Sequence, residues 1–329
     1  MQDKQLEQLF HLLDRSAELI SEEQELPYLD ALALAGDKLS AGEFIETKNE
    51  IEKKKLKQIV EDIYLDELPK EVIRKSFQLT VLKGMKGATQ PHHSLTPDAV
   101  SLFISYLVNK ISSDLKSEYL VADFALGSGN LLSAVLNQST KPARAVGFEA
   151  DETLLHIAFV SSNLQRNEVE LFHQDSIQNL PLLKADVVVT DLPVGYYPND
   201  IIANDYELKA ESGHSYVHHL MIEQAIQQTR EGGYLYFLIP NFLFESDQSE
   251  KLHRYLKEKT HILALLQLPK SMFHSEQQAK SILMLQKKGT EVQPIQQALM
   301  AELPSFSKPT ALADMIKQID GWFKQELGK

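Results

Sequence analysis

The feature that most limits the fold of this chain is a regular alternation of apolar and amphipathic segments between residues 119 and 289. The segment ADVVVTDLP (185–193) is almost continuously apolar, as strands buried in a parallel sheet are. The segment ETLLHIAFVSSNLQ (152–165) carries apolar residues at helical spacing. This alternation predicts an α/β fold with a Rossmann-like, doubly wound sheet. Further strands are expected at 119–126, 144–150, 169–175, 232–240, 261–269 and 279–289, and further helices at 130–138, 215–230 and 249–260.

Residues 1–85 predict an N-terminal helical domain. Apolar residues recur at helical spacing near its start, and a second such pattern is interrupted by Gly36 and Gly42. Residues 50–63 mix both charge signs around an apolar stripe, which we expect to pack on a neighbouring helix; a partner-binding surface is the alternative. The apolar residues of the three patterns are Leu6, Leu9, Phe10, Leu12 and Leu13; Leu29, Leu32, Phe44 and Ile45; and Ile51, Leu56, Ile59, Val60 and Ile63.

A Gly-, Pro- and His-rich segment, 83–100, is predicted to be a linker. It ends in a helix start, with Thr96 as N-cap, Pro97 at the first helical position and Asp98 facing the helix dipole. The boundaries expected are therefore a helical domain at 1–85, a core domain at 86–289 and a short helical extension at 290–329. The extension carries Met315, Ile316 and Ile319 on one face.

Composition excludes several classes of protein. The chain is 43% hydrophobic and 24% charged, which is typical of a globular protein. No apolar run approaches the roughly 18–20 residues of a membrane span, and the charged N-terminus does not read as a signal peptide. The absence of cysteine excludes disulfides, thiolate zinc sites and a cysteine nucleophile, and it fits a cytoplasmic protein. The net charge of −13 argues against tight independent binding to DNA.

The most informative short segment is VADFALGSGNLL (121–132), in which a strand meets a glycine turn and then a helix. Gly127 and Gly129 permit a tight turn and a close approach of the backbone to a ligand, and the helix N-terminus offers unpaired N–H groups. The dinucleotide fingerprint G-x-G-x-x-G fails because its third glycine is Leu132. A plain tight turn is the alternative interpretation.

Acidic residues end the three strands that follow. Glu149 closes the second strand, where a carboxylate accepts hydrogen bonds from ribose hydroxyls; a chance surface position is the alternative. Asp175, followed by Ser176, closes the third strand and is either a ligand-binding residue or a helix cap. The fourth strand runs into Asp191 and the sequence DLPVGYYP (191–198), at the sheet edge where ligands of open α/β sheets bind.

These motifs occur in the order and spacing of the amino-methyltransferases, and the chain resembles class I S-adenosylmethionine (SAM)-dependent methyltransferases of the N6-adenine DNA methylase family. SLTPDAV (94–100) resembles the Thr-Pro element that precedes the glycine motif there. Residues 231–289 are similar to the M subunits of type I restriction-modification systems. Within that group the chain looks most like the small stand-alone YtxK-like proteins.

The resemblance implies SAM as the cofactor. Asp123 would bind the ammonium of its methionine part, Glu149 the ribose and Asp175 the adenine amino group. The full set of cofactor-binding residues that the resemblance implies is Thr96, Pro97, Asp123, Ala125, Gly127, Ser128, Gly129, Asn130, Glu149, Asp175 and Ser176.

The resemblance also implies that DLPV (191–194) is the (D/N)PP(Y/F) catalytic motif. The Asp191 side chain and the Leu192 carbonyl would accept hydrogen bonds from the target amine, and Pro193 is the next residue of the motif. A loop-capping carboxylate is the alternative interpretation of Asp191. The chain departs from the motif at Leu192, which replaces a proline, and at Val194, which replaces the aromatic residue that stacks on a flipped base. Tyr196, Tyr197 or Phe273 is the expected substitute, although the two tyrosines are equally interpreted as loop residues packed on the domain.

Other chemistry finds little support. His92, His93, His214, His218 and His219 are expected to be solvated or packed side chains, because no H-E-x-x-H pattern is present. The chain contains no P-loop and no G-x-S-x-G nucleophile elbow, so we expect neither nucleotide hydrolysis nor serine-esterase chemistry.

Three functions remain open. The first is methylation of an exocyclic amine of a nucleic acid, with adenine N6 in DNA favoured by the resemblance. The second is SAM-dependent methylation of RNA, a protein or a small amine. The third is a catalytically degenerate SAM-binding module that recruits a partner. Because no target-recognition domain is evident, activity on DNA is expected to need a protein partner, and the N-terminal helices are candidates for binding that partner or a second copy. No membrane association is expected.

Overall fold

A computed structural model describes residues 2–43, 47, 49–87, 95–273 and 275–329. The chain forms two compact units, each built from several segments. The first unit comprises Met1–Leu102, Leu126–Gln138 and Arg144–Gln174, and the second comprises Phe103–Ala125, Ser139–Ala143 and Asp175–Lys329. The N-terminal helices therefore share a compact unit with part of the alternating region.

The helices and strands of the described residues follow the predicted alternation closely. The helices are α1 (Gln2–Gln24), α2 (Tyr28–Ser40), α3 (Glu50–Ile63), α4 (Lys70–Gly87), α5 (Asp98–Lys110), α6 (Asn130–Gln138), α7 (Glu152–Leu164), α8 (Asp200–Ala203), α9 (Val217–Gln228), α10 (Ser249–Lys259) and α11 (Pro309–Trp322). The strands are β1 (Tyr119–Asp123), β2 (Ala143–Glu149), β3 (Val169–His173), β4 (Ala185–Asp191), β5 (Thr229–Pro240), β6 (Thr260–Gln267), β7 (Lys280–Lys287) and β8 (Leu299–Glu302).

The strand pairings can be described within each unit. In the first unit, β2 and β3 pair in parallel. In the second unit the strand order is β1-β4-β5-β7-β6-β8, and β7 runs antiparallel to both of its neighbours. The strand β4 is buried along almost its whole length, as its continuously apolar sequence predicted. The parallel strands β1, β4 and β5 bring the ends of β1 and β4 to the same edge.

The helical part of the first unit has an apolar core formed by α1, α2, α3 and α4 together with residues of α7. Gly36 lies inside α2 and does not end it. At this glycine α2 packs closely on α7, since a Cβ atom there would lie 2.3 Å from Val160 Cγ1. Along α3, Leu56 and Ile63 are buried as predicted, but Ile51 is 69% exposed, so the expected apolar stripe is wrong at its first position. The core residues are Leu9, Leu12, Leu13, Ala17, Leu19, Ile20, Ala31, Leu32, Ala33, Ala35, Leu39, Leu56, Ile63, Leu68, Val72, Ile73, Phe77, Val81, Ile157 and Val160.

Three further expectations need correction. The predicted linker is helical at its beginning, since α4 continues to Gly87. The helix α5 begins at Asp98, and the carbonyl of Pro97 accepts the first helical hydrogen bonds, so Pro97 rather than Thr96 occupies the capping position. The C-terminal extension is not purely helical, because β8 pairs in parallel with β6 before α11 begins. Phe44, Ile45 and most of the predicted linker lie outside the described residues.

Candidate functional site

The glycine loop, residues 126–130, has the backbone conformation that its sequence predicted. Gly127 and Gly129 have φ angles of +57° and +80°, which L side chains rarely adopt. A Cβ atom at Gly127 would meet no other atom within 4 Å, whereas one at Gly129 would lie 3.2 Å from Ala158 Cβ. The backbone at the first glycine therefore borders open space, and the second glycine allows the loop to pack on α7.

Glu149, at the end of β2, is tied directly to this loop. Its Oε2 atom accepts a hydrogen bond from the Gly127 N–H at 2.7 Å, and its Oε1 atom accepts from the N–H groups of Ala150 and Asp151, both at 2.9 Å. A carboxylate offers about four lone-pair positions, so it keeps capacity for a further donor such as a hydroxyl group. These bonds give Glu149 a structural role in holding the glycine loop, and its role toward a ligand stays a prediction.

The Thr-Pro element also meets the glycine loop. The Asn130 side chain donates to the Thr96 carbonyl at 3.0 Å and to Ser101 Oγ at 3.4 Å. Thr96, Ser128 and Asn130 are all buried, with exposures of 6%, 8% and 6%. Arg74 of α4 donates to Asn130 Oδ1 at 2.7 Å. No motif in the sequence selects Arg74, and its local signal is the helical pair with Glu71 three positions earlier.

In the second unit, the end of β1 is fixed by short polar contacts. Asp123 is 1% exposed, and its Oδ1 atom accepts from the Ala125 N–H at 3.1 Å. The Phe124 carbonyl accepts from Ser176 Oγ at 2.6 Å, and the Phe124 N–H donates to Thr190 Oγ1 at 3.2 Å. The predicted residues Asp123, Ala125 and Ser176 therefore lie in one hydrogen-bonded region.

Asp175 fills two roles. Its Oδ1 atom accepts from the Ile177 N–H at 2.9 Å, as a turn-capping carboxylate does, and its Oδ2 atom accepts from the Tyr197 hydroxyl at 2.6 Å. Tyr197 is only 4% exposed, and burial and the adjacent carboxylate raise the pKa of its phenol. Its ring is therefore packed in the domain, which makes Tyr197 a poor substitute for the missing stacking residue.

Asp191 is held by a cation that the sequence did not reveal. Its carboxylate forms an ion pair with the ammonium of Lys280, the first residue of β7, and the two side chains are 12% and 17% exposed. The next residue, Leu192, is 1% exposed, and its N–H donates to the Leu238 carbonyl at 3.1 Å. The leucine that departs from the family motif thus occupies an apolar position, while Pro193 lies exposed beside it.

An aromatic array lies beyond Pro193. Tyr196 is 62% exposed and stacks on Tyr216, with ring centroids 4.9 Å apart and an interplanar angle of 17°. Tyr216 stacks in turn on His218 at 5.1 Å. Val194 is 44% exposed and offers no ring. Of the three aromatic residues predicted as substitutes, Tyr196 is exposed, Phe273 is half-buried and Tyr197 is buried.

The histidines separate into two environments. His214 is on the surface and pairs with Asp200 at 3.0 Å. His218 and His219 are 1% and 0% exposed, and neither ring nitrogen of His219 has a hydrogen-bond partner. Burial lowers the pKa of His218 to about 4, an effect that the Pro193 carbonyl partly opposes. Burial and the neighbouring His218 lower the pKa of His219 to about 3, so both rings are neutral at physiological pH. His92 and His93 lie outside the described residues.

Comparison with known proteins shows the family to which the chain belongs. Residues 7–85 match the YtxK N-terminal helical domain, and residues 87–323 match the N-6 DNA methylase family. The chain is 49% identical over 329 residues to the uncharacterized protein YtxK of Bacillus subtilis strain 168, covering 99% of this chain and 100% of that protein. The chain therefore belongs to the N-6 DNA methylase family of SAM-dependent methyltransferases, which confirms the resemblance and the fold class drawn from the motifs.

Solved structures agree. A crystal structure from Listeria monocytogenes, described as a candidate class I SAM-dependent methyltransferase, has a TM-score of 0.89 and 37% identity, covering 98% of this chain and 100% of that one. The type I restriction-modification methyltransferase subunit from Streptococcus thermophilus has a TM-score of 0.62 and 12% identity, covering 94% of this chain and 74% of that one. The second likeness shows a shared fold alone. No helix in the described ranges is long and apolar enough to span a membrane.

Proposed function

We propose that this protein transfers a methyl group from SAM to an exocyclic amine, with the N6 amine of adenine in DNA as the acceptor that the family favours. The observation that carries the proposal is Asp191, a carboxylate fixed by Lys280 at the end of the buried strand β4 and followed by Leu192-Pro193. The domain boundaries at 85 and 289 and the cytoplasmic location stay predictions.

The glycine loop fits the cofactor. A Cβ atom at Gly127 would extend into open space, so the backbone there is accessible to a ligand, and the Glu149 carboxylate beside it has acceptor capacity for a ribose hydroxyl. Asp123 and Asp175 are proposed to bind the ammonium and the adenine amino group, with Ser176 near them, and Thr96, Pro97, Ala125, Ser128, Gly129 and Asn130 are proposed to shape the site. When bound, SAM supplies a methyl group activated by a sulfonium centre.

The residues of DLPV are proposed to prepare the acceptor. An exocyclic amine is a weak nucleophile because its lone pair is delocalised into the ring. Hydrogen bonds donated by the amine to the Asp191 carboxylate and the Leu192 carbonyl favour the tetrahedral nitrogen that attacks in line. The Lys280 ammonium holds the carboxylate in one orientation, so the acceptor meets an arranged site rather than a mobile side chain.

Tyr196 is proposed to replace the aromatic residue missing at position 194. It is exposed and held on Tyr216, whereas Tyr197 is buried with its hydroxyl on Asp175. Stacking of a base on an aromatic ring contributes about 1–3 kcal/mol, which an exposed tyrosine can supply and a valine cannot.

A second candidate acceptor is supported by the charge around this array. Asp200 contacts His214, and the exposed Asp247 accepts from the Tyr216 hydroxyl at 3.2 Å. Carboxylates beside the stacking ring, together with a net charge of −13, oppose a phosphate backbone. This favours a protein or a small amine over duplex DNA, and RNA, the other acceptor of this alternative, carries the same phosphate charge as DNA. For a nucleic acid, a protein partner bound through the N-terminal helices would have to supply the basic groove. The degenerate SAM-binding module is the remaining alternative.

Calorimetry with SAM, followed by incubation of the protein with labelled SAM and DNA, RNA or lysate, tests the proposal. We expect SAM to bind with measurable heat and to label one acceptor class. Asp191→Ala should keep the binding heat and lose most of the labelling. Binding without any labelled acceptor would establish the degenerate module instead, and absence of binding would reject the proposed function as a whole.

A further inference from the structure

The buried arginine Arg74 lies in the N-terminal helical domain but makes its contacts around the glycine loop. Its side chain is 1% exposed. A buried guanidinium is tolerated only when its charge and its donors are matched, so its partners identify what it stabilises.

The partners come from three separate segments of the chain. Arg74 Nε and Nη2 donate to the Glu71 carboxylate at 2.9 and 2.8 Å, in α4 itself. Nη2 also donates to Asp98 Oδ1 at 2.5 Å, at the start of α5. Nη1 donates to Asn130 Oδ1 at 2.7 Å, at the start of α6. One side chain therefore fixes the two helix starts on which the Thr-Pro element and the glycine loop depend.

Asn130 transmits this constraint to the loop. It follows Gly129 directly, and its amide nitrogen donates to the Thr96 carbonyl at 3.0 Å. Because arginine can only donate, the Asn130 oxygen must face Arg74 and the nitrogen must face Thr96. The amide is thereby held in a single orientation beside two glycines, the residues with the least conformational restraint of their own.

The far end of α6 is held by the same helix. Glu71 Oε1 accepts from Asn137 Nδ2 at 2.9 Å, and Asn137 also donates to Gln165 Oε1 at 2.8 Å. The helix that follows the glycine loop is thus attached to α4 near both of its ends.

We infer that Arg74 is a positioning residue for cofactor binding, and that the N-terminal helical domain is consequently part of the cofactor site rather than only a partner-binding module. The inference rests on the proposed function, in which the glycine loop binds SAM. Arg74 holds Asn130 and the Thr-Pro element so that the loop is arranged before the cofactor arrives, which removes an ordering cost from binding.

The test is the dissociation constant of SAM, measured by calorimetry for the full chain carrying Arg74→Lys. Lysine keeps the charge but lacks the planar fork that reaches three segments. We expect SAM binding weakened about 10-fold, the scale on which supporting residues act at ligand sites. Arg15→Lys is the matched control, since Arg15 in α1 also bonds two glutamates, Glu18 and Glu52, at 2.9 and 3.2 Å.

A merely structural role would lower the melting temperature of both variants and leave SAM binding unchanged in both. Asn130→Ala separates the two roles further: if Arg74 acts through Asn130, the double variant binds SAM little worse than Asn130→Ala alone. Should Arg74→Lys fail to fold, Asp98→Asn weakens the same cluster and is expected to give a smaller loss of SAM binding.

Unchanged SAM binding in the folded Arg74 or Asp98 variant, an equal loss in Arg15→Lys, or fully additive effects would overturn the inference. Failure of the wild-type chain to bind SAM is seen before any variant is made, and it would reject the proposed function itself.

Discussion

The glycine loop (126–130) and the acceptor loop (191–198) are stabilised in different ways. The glycine loop is defined by its backbone: two positive φ angles, an N–H group on Glu149 and an open surface at Gly127. The acceptor loop is defined by side chains: Asp191 on Lys280, Tyr197 on Asp175 and Tyr196 on Tyr216. The comparison teaches that backbone conformation specifies the first loop and side-chain contacts specify the second. Leu192 and Val194, where the sequence predicts departures from the catalytic motif, both lie in the second loop.

Asp191→Ala is expected to have the largest effect. Removal of the acceptor for the target amine should lower the turnover number by about 10²–10³-fold, as loss of a single arranged hydrogen-bonding group does elsewhere. SAM binding, measured by calorimetry, should stay within about twofold, because the glycine loop is untouched. Asp191→Asn, which retains an acceptor oxygen, is the control and should keep part of the turnover. Full turnover in Asp191→Ala would show that the acceptor loop does not activate the target amine through Asp191.

Gly127→Asp tests the other side of the comparison. The new side chain would occupy the open space at Gly127, strain a φ of +57° and place a second carboxylate next to Glu149, so SAM binding should fall about 100-fold or more. Gly42→Asp is the matched control, because Gly42 has a φ of +71° and equally open surroundings. It carries the same backbone strain and should bind SAM normally. Comparable losses in both variants would mean that strain, not cofactor contact, explains the result.

Tyr196→Ala should act on the acceptor alone. Loss of the exposed ring is expected to raise KM for a planar acceptor about 10-fold, which lies within the range of base stacking on aromatic side chains. Steady-state kinetics with the labelled acceptor measures this, and Tyr196→Phe should behave as the wild type because it keeps the ring. An unchanged KM in Tyr196→Ala would show that Tyr196 does not replace the stacking aromatic residue that is missing at position 194.

The smallest expected effect is that of the buried histidines His218 and His219 on stability in acid. Both lie in the second unit, which also contains the acceptor loop. The folded-state pKa values of His218 and His219 are about 4 and about 3, below the unfolded value of about 6.5. The unfolded chain therefore binds protons first. The stability contributed by the neutral rings is fully present above about pH 6.5 and is lost as the pH falls through about 4 to about 3.

Denaturant unfolding at about pH 7.5 and about pH 5 checks this. Between about pH 7.5 and about pH 5, the free energy of unfolding should fall less in His219→Asn than in the wild type. In His11→Asn, a change at an exposed position on α1, it should fall as much as in the wild type. Equal losses in all three proteins would show that the buried histidine pair does not control acid stability.

Much of this fold could be predicted because its elements are locally encoded. The helix α6 was predicted at its observed bounds, and β4 followed from its apolar run. The sequence does not predict the strand β8, because LMAE (299–302) is short and half-buried and shows no alternation of apolar and polar residues. Ile51 was misplaced because periodicity identifies a face but not how far a neighbouring helix extends along it.

The candidate site divides in the same way. Glu149 and Asp191 are the last residues of β2 and β4, and Gly127 lies in the turn between β1 and α6; the spacing of the motifs alone identifies all three. Lys280 lies 89 positions from Asp191, and the two meet only because β7 enters the sheet antiparallel to β5, with Lys280 opposite Pro240. No pattern in the sequence states that register.

The sequence by itself determined the alternation of strands and helices, the positive-φ glycine turn and the order of the acidic strand ends. Each of these follows from the conformational preferences of a few adjacent residues. Only the tertiary structure decided that a guanidinium from α4 braces the glycine loop, that an ammonium from β7 holds Asp191, and that Tyr196 rather than Tyr197 remains exposed. Those outcomes depend on packing and strand register, which arise from contacts between residues far apart in the chain.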